Sequence, residues 1–586
     1  MVAKERRQGN GEAPLQLAEK CPLPFLFFFQ KEMESMKKNL EKRIDVALGN
    51  AEADLLIRNV RIFHLTTGEF ETADIAVADG LIVGVGTGYK SHCECDGTGL
   101  TAVPGFIDSH VHVESSLMVP SEYQKMVLRH GVTTVFCDPH ELANVVGTEA
   151  FEFFSKASSS LAVDFQLRLA SCVPATHLET SGAEITAETL AEWKKRLPEA
   201  GLAEFMNVPG VIFKDPSILK KLELFDKIDG HAPLVTGNEL NAYISTGVSN
   251  DHECISLNDA REKIRRGMGI LIREGSVARD LDNLMPLITV ENSMNIAFCT
   301  DDCNPYDVQQ TGHIDAMVAR AIAAGCSPLA VYRASSYSAA QLMGLRDRGL
   351  IAPGKRADIV LLRDFEKCQV QAVFSQGRLV CDELFANEAP VDLTPLLNTV
   401  KCRKVTPADF ELDPPVEGTP VIGVRDLSLI SDFLTYPVDD LAVISVVERH
   451  GKNGNISRAY VHGFGMKKGA IASSVGHDSH NICVVGTNSA DMALAVNTLR
   501  ESQGGFTVVI DGKVAGLVPL PVAGLMSDQP EETIISQLKQ LRDAARGTGC
   551  RIHEPFMQLA FLALPVIPFL KITDKGLVDV REFKLI

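Results

Sequence analysis

Apolar positions alternate in short stretches on both sides of a long middle portion of this 586-residue chain, in which strand patterns alternate with helical ones. DLLIRNVRIFHL (Asp54–Leu65) and DIAVADGLIVGVG (Asp74–Gly86) are rich in Val and Ile with the period of half-buried strands, and Asp79-Gly80 reads as a turn. The same texture returns in ADIVLLRDF (Ala357–Phe365) and VQAVFSQGRLV (Val370–Val380). A small β domain, residues 51–102 plus 346–400, is therefore expected to take its strands from both sides of a large insertion. Inside that insertion, residues 103–345, the strand candidates are FIDSHVHV, TTVFCD, FQLRLA, AEFMNV, DGHAPLV, GVSNDHE, GILIREG and NIAFCTDD. Helical patterns lie between them, at Pro120–His130, Ala187–Leu197, Leu257–Arg266 and Ala278–Ile288. Eight strand–helix repeats of about 30 residues predict an α/β fold, a (β/α)8 barrel in preference to a doubly wound sheet. No GxGxxG follows the first strand, which lowers the dinucleotide-binding alternative.

Residues 401–586 predict a further α/β unit. Its strands fall at Leu441–Glu448, Ile482–Gly486 and Thr507–Ile510, and its helices at Ser489–Gln503 and Thr533–Arg546. Phe556–Leu570 is apolar but broken by Pro565 and Pro568, and reads as buried strand or loop. Residues 1–50 predict a poorly ordered extension ending in a charged helix, Glu32–Leu48. Its apolar run Pro22–Phe29 is too short to span a bilayer.

Charge and composition narrow the class. Lys plus Arg number 57 and Asp plus Glu 75, a net charge of −18, with one Trp and eight Tyr. That balance disfavours nucleic acid and anionic membranes as partners. Fourteen cysteines are scattered with no repeated CxxC, which suits a reducing, cytoplasmic setting. Only Cys93–Cys95 and the Cys299/Cys303 pair are closely spaced. Gly504-Gly505 precedes a strand instead of opening a helix, so it is not read as a phosphate loop.

The sharpest chemical signal is Asp108-Ser109-His110-Val111-His112 at the end of a strand. Residues i and i+2 of a strand share a face, so His110 and His112 can reach one metal. Further polar groups sit at successive strand ends: Asp138, His140 and Glu141, then Glu204, His231, His252 and Asp301. Active-site groups of such barrels gather at that face. Imidazole and carboxylate without clustered thiolate suit Zn, Mn or Fe(II) in a hydrolytic role. His110, His112, Glu204, His231, His252 and Asp301 supply the ligands that two metals sharing a carboxylate require. Two divalent ions would bring the pKa of a water to near neutrality, and Asp301 could shuttle its proton. Arg273-Glu274 reads as a structural ion pair in preference to a substrate clamp. His477, Asp478, Ser479 and His480 read either as a lining of the barrel mouth or as a loop network, and not as a nucleophilic triad.

PGFIDSHVHVESS, DPHE, GHAP, SNDHE and IAPGKRADIVLL resemble the amidohydrolase superfamily. Glu114-Ser115-Ser116 after the HxH, and Glu204 where many relatives carry a carbamylated lysine, resemble its bacterial adenine deaminase family. The likeness runs from about Asp54 to Ile586 and includes SSVGHDSHN and GLVPLPVAGLMSD. It implies hydrolysis of adenine to hypoxanthine and ammonia in purine salvage, a composite β-sandwich domain beside the barrel, and two Mn(II) or Fe(II) ions, with Zn(II) less favoured. It also implies Glu204 as the bridge and a homodimer or larger homo-oligomer. Attack at C6 of adenine demands a proton or hydrogen bond at N1. A carboxylic acid with a raised pKa would serve, the candidates being Glu114, Glu141 and Glu253. Asp138 and His140 are candidates for the imidazole edge of the purine, and Ser115 for a substrate contact. Hydrolysis of a cyclic amide or N-acyl group is the competing reaction, and a non-catalytic scaffold the competing class. The H-x-E with P-C-x-x-C signature of the cytidine deaminases is absent.

Overall fold

The computed structural model describes residues 40–386 and 390–586. The run Pro22–Phe29 and the first part of the expected helix Glu32–Leu48 lie outside them. Leu40–Ala47 is helical.

The middle of the chain is α/β. A five-stranded parallel sheet orders Phe106–Val111, Val132–Cys137, Asp164–Leu169, Gly201–Phe205 and Ile228–Gly230 in sequence. A three-stranded parallel sheet continues with Asn250–Asp251, Gly269–Arg273 and Ile296–Cys299. Two single-residue parallel bridges, Ile228 to Val248 and Val111 to Asp301, join the ends of the two sheets and close the series into a ring. VTTVFC, GLAEF, GILIR and IAFC are buried at every position, as strands covered on both faces must be. Gly230 permits one of the closest approaches. A Cβ there would lie 2.2 Å from the Asn250 carbonyl, so only glycine lets the chain pass just before His231.

The helix expected over Ala278–Ile288 is shorter. Leu281–Leu284 is α-helical and Met285–Leu287 tightens to a 3₁₀ turn, because Pro286 has no N–H to continue the ladder. The other three expected helices match their ranges within one residue.

Strands from both flanks share one eight-stranded sheet. Ile359–Asp364 pairs antiparallel with Thr101–Pro104, and Leu55–Phe63 pairs with Phe70–Ala78. The C-terminal segment builds a second eight-stranded sheet in which Pro420–Gly423 beside Ile456–His462 is the one parallel pair. This unit is therefore antiparallel in texture, with Ser489–Glu501 and Glu531–Gly547 as its longer helices. The strand or loop expected at Phe556–Leu570 is corrected at its start: Pro555–Phe561 is a helix buried at all seven positions. Proline fits its first turn, and Pro565 and Pro568 lie beyond its end. One apolar cluster runs from Phe106 and Phe298 of the ring to Phe506 and Phe556 of the C-terminal unit, so the two pack as one body. Among the described residues no helix is long and apolar enough to cross a membrane.

Candidate metal centre and active site

His110 is the penultimate residue of the first parallel strand and His112 follows its end, with ring centroids 4.8 Å apart. The His112 Nδ1–H donates to the Asp138 carbonyl at 3.0 Å, which turns its Nε2 toward the ring axis. Glu204, in Gly201–Phe205, lies at the centre. Its Oε1 is 3.6 Å from His110 Nε2 and 3.2 Å from His112 Nε2. Its Oε2 is 2.7 Å from His231 Nδ1 and 3.3 Å from His252 Nε2. One carboxylate thus presents each oxygen to a separate pair of imidazoles.

Asp301 closes the arrangement. Its Oδ1 is 3.3 Å from His110 Nε2 and 3.1 Å from His112 Nε2. Its backbone N–H donates to the His110 carbonyl at 3.0 Å, and its carbonyl accepts from the His112 N–H at 3.1 Å. Asp301 takes φ +60°, a conformation Asp tolerates better than most residues, and the two backbone bonds hold it there.

The electrostatics favour a cation. Burial opposes the charged form of Glu204, yet His231 and His252 hold its carboxyl well below the usual range. Burial likewise opposes the charge of Asp301, and His110, His112, His252 and Arg273 hold it low. The buried His110 Nε2 and His231 Nε2 have no hydrogen-bond partner among the described residues. Unpartnered imidazole nitrogens around ionised carboxylates fit divalent metal ions. His112, Asp138, His140 and Glu204 offer ligand atoms within 4.8 Å of one another, as do the sets His110, His252, Asp301 and Glu204, His231, His252. Asp138 and His140 thus lie closer to the centre than a purine-edge role alone requires.

The three candidate acids separate. Burial pushes the Glu114 carboxyl up to about 7. Its Oε1 accepts from the Leu142 N–H at 3.0 Å and its Oε2 has no partner among the described residues. Glu141 does not meet the expectation of a neutral acid. Burial works against its charge, but the His477 and His480 imidazoles hold it well below the usual range. Glu253 is not an unpartnered acid either, because the Arg273 guanidinium grips both its oxygens. Ser115 is spent differently from the expected substrate contact: its hydroxyl donates to the Asp302 carboxylate.

Arg273 and Glu274 are not paired with each other. Consecutive strand residues face opposite sides, so Glu274 reaches Arg320 while Arg273 turns inward. Buried to 1% exposure, Arg273 donates to Asp301 Oδ2 at 2.9 Å, to Asp280 Oδ2 at 3.3 Å and to Glu253. Sequence reasoning missed this hub of three carboxylates. The inward parity of Arg273 at a strand end was the available signal.

His477, Asp478 and His480 come to the ring mouth. His477 Nδ1 is 2.6 Å from Glu141 Oε1, and His480 contacts the other Glu141 oxygen. Asp478 Oδ1 is 3.7 Å from His140 Nε2. His477 also stacks on Phe561, with centroids 4.3 Å apart and planes 5° from parallel.

Comparison with known proteins bears on this geometry. Residues 101–380 match the amidohydrolase family, and residues 425–584 match the adenine deaminase C-terminal domain. The chain is 52% identical to "Adenine deaminase 1" of Rhizobium etli over 567 residues, 94% of this chain and 100% of that protein. It is 50% identical to "Adenine deaminase" of Gluconobacter oxydans over 94% of this chain and 100% of that one. Among solved structures, a D-hydantoinase superposes on 56% of this chain and 94% of its own with a TM-score of 0.43 at 15% identity. Identity of this depth over 94% of this chain and the full length of those relatives, in a chain whose strand ends converge on one shared carboxylate, places the protein in the adenine deaminase family of the amidohydrolases.

Proposed function

We propose that this protein hydrolyses adenine to hypoxanthine and ammonia. The observation that carries the reading is Glu204, whose two oxygens face His110 and His112 on one side and His231 and His252 on the other. His110, His112, Glu204, His231, His252 and Asp301 would hold two divalent ions, Mn(II) or Fe(II) in preference to Zn(II). Bound there, the ions would acidify a water and offset negative charge as it attacks.

The chain's own residues account for the protons. In the overall change the water oxygen bonds to C6, the C6–N bond breaks, and the amino group leaves as ammonia carrying a proton. Arg273 engages Asp301 Oδ2, so Asp301 Oδ1 is the oxygen that takes the proton of the water and returns it to the leaving nitrogen. Glu114, dry and with its carboxyl raised to about 7, donates to N1 as electron density builds there, and the second proton of the water, released from the C6 oxygen as the carbonyl forms, restores it.

The parallel ring reads as a (β/α)8 barrel at residues 103–345, flanked by the composite β domain at 51–102 plus 346–400 and the C-terminal unit at 401–586. A cytoplasmic homodimer or larger assembly serving purine salvage is the setting that suits a free-base deaminase. Ammonia release from adenine, measured after anaerobic loading with Mn(II) or Fe(II), tests the reading beside Asp301→Asn. Turnover by the wild type and not by the variant is expected. A metal-loaded wild type that releases no ammonia from adenine but opens a cyclic amide would replace it.

A further inference from the structure

Asp478 belongs to the C-terminal unit, far from the ring in sequence, yet it is buried at the ring mouth with 2% exposure. Its Oδ1 lies 3.7 Å from His140 Nε2, and its Oδ2 has no hydrogen-bond partner among the described residues. The opposite nitrogen of the same ring, His140 Nδ1, is 3.5 Å from Glu204 Oε1. Asp478 therefore stands on the far side of the His140 ring from the shared carboxylate.

The segment is fixed on every side. His477 bonds Glu141 at 2.6 Å and stacks on Phe561. The Ser479 carbonyl accepts from His450 Nε2 at 2.7 Å. Asn481 Nδ2 donates to the Thr180 carbonyl at 2.8 Å. A buried carboxylate oxygen held this firmly without a donor is a recognition element awaiting an N–H.

We infer that Asp478 is the specificity residue that separates free adenine from N9-substituted adenines, by accepting a hydrogen bond from the N–H of the purine's five-membered ring. This deepens the proposed deaminase reading and rests on it. A base reacting at C6 beside Glu204 and lying along the His140 ring would bring its five-membered ring to Asp478. Free adenine carries an N–H there. A nucleoside carries a carbon, which supplies no donor and meets the carboxylate. Sites that use a buried group to bond a substrate N–H reject analogues lacking it far more strongly than apolar pockets reject a methylene. Glu179 neighbours Asp478, and burial together with the Asp478 charge pushes the Glu179 carboxyl up to about 8.

The test compares metal-loaded wild type, Asp478→Asn and Asp478→Ala on adenine, with 9-methyladenine as a competitive probe. Metal content and melting temperature confirm that each variant is folded. Asp478→Ala is expected to raise KM for adenine by roughly 10²-fold with a smaller change in kcat, because a contact made equally in ground and transition states is lost. Asp478→Asn, which keeps an acceptor oxygen, should recover part of that loss. The inhibition constant of 9-methyladenine should stay within a few fold or improve, so that the preference for adenine collapses. An unchanged KM for adenine in folded Asp478→Ala, or an unchanged preference over 9-methyladenine, would overturn the inference while leaving the deaminase reading intact. A wild type inactive on adenine would overturn both.

Discussion

The ring mouth and the segment Val475–Asn481 meet at His140, and they place their polar groups in different ways. The ring sets them by strand parity: His110 and His112 enter the centre from the first strand end and Glu204, His231, His252 and Asp301 from later ones, and the backbone fixes the direction. The C-terminal segment has no regular structure over this stretch. It is held instead by side chains that reach across hundreds of residues, as when His477 bonds Glu141 336 positions away. Groups on strand ends are suited to chemistry that tolerates little displacement, whereas groups on a docked segment can change with the substrate while the ring stays the same. If this division holds, substitutions at ring positions should affect turnover, and substitutions at the docked segment should affect which base is accepted.

The largest effect is expected at Glu204. Glu204→Gln keeps the shape but removes the charge that both histidine pairs face. Activity should fall to background, and bound metal should drop below about two ions per chain. Metal analysis of the purified variant checks this. Full occupancy with retained turnover would mean that the centre does not depend on this carboxylate, and the contrast between ring and segment would fail at its strongest point.

Glu114→Gln should cost about 10²–10⁴-fold in kcat, the range for loss of a positioned acid. Burial raises the wild-type carboxyl to about 7, and the protonated form is the active one. The wild-type rate should therefore fall as pH rises through about 7, and that limb should vanish in the variant. A limb that persists in Glu114→Gln would assign it to another group.

Arg273→Met is expected to lower kcat by about 10–100-fold, since the guanidinium acts through Asp301 and Glu253. Three carboxylates would lose their common counter-charge. Arg273→Lys should rescue little, because an ammonium cannot make the fork that grips both oxygens of Glu253. Full rescue by lysine would reduce the role of Arg273 to charge alone.

The difference between ring and segment also explains what the sequence discloses. The eight strand segments, the paired HxH and the later strand-end groups are legible because period-two parity and the strand–helix alternation are local signals. The contacts of Arg273 are half legible: parity shows that it faces inward and Glu274 outward, but which carboxylates surround it depends on three separate strand ends. The surroundings of Glu141 are not legible at all. A buried acid reads as a candidate for a raised pKa until two histidines from the docked C-terminal segment are seen to face it, and the sign of its shift then reverses. The helix Pro555–Phe561 was hidden for a similar reason, since a segment apolar on every side shows no period and its prolines draw attention to its far end.

The smallest effect is expected in the seam itself, in stability and not in turnover. Glu179 lies in the segment after strand Asp164–Leu169, where the C-terminal unit grips the chain: Thr180 N–H donates to Asp574 at 2.8 Å, and Thr573 Oγ1 donates to the Leu178 carbonyl at 2.6 Å. Its carboxyl accepts from the Thr176 N–H at 3.0 Å and is raised by burial to about 8 from 4.5. Between those two values the folded protein keeps a proton that the unfolded chain has released. Stability must therefore fall as pH rises through this window and level off above about 8. Glu179→Gln keeps the acceptor for Thr176 and has no proton to lose. The melting temperature of the variant relative to wild type should move steadily in the variant's favour from pH 5 to pH 8, while kcat on adenine at a fixed pH changes little. A constant difference across that range would show that the carboxyl is solvated in the folded protein. The seam would then be looser than its hydrogen bonds suggest, and the segment would lose the rigidity on which its part in choosing the substrate depends.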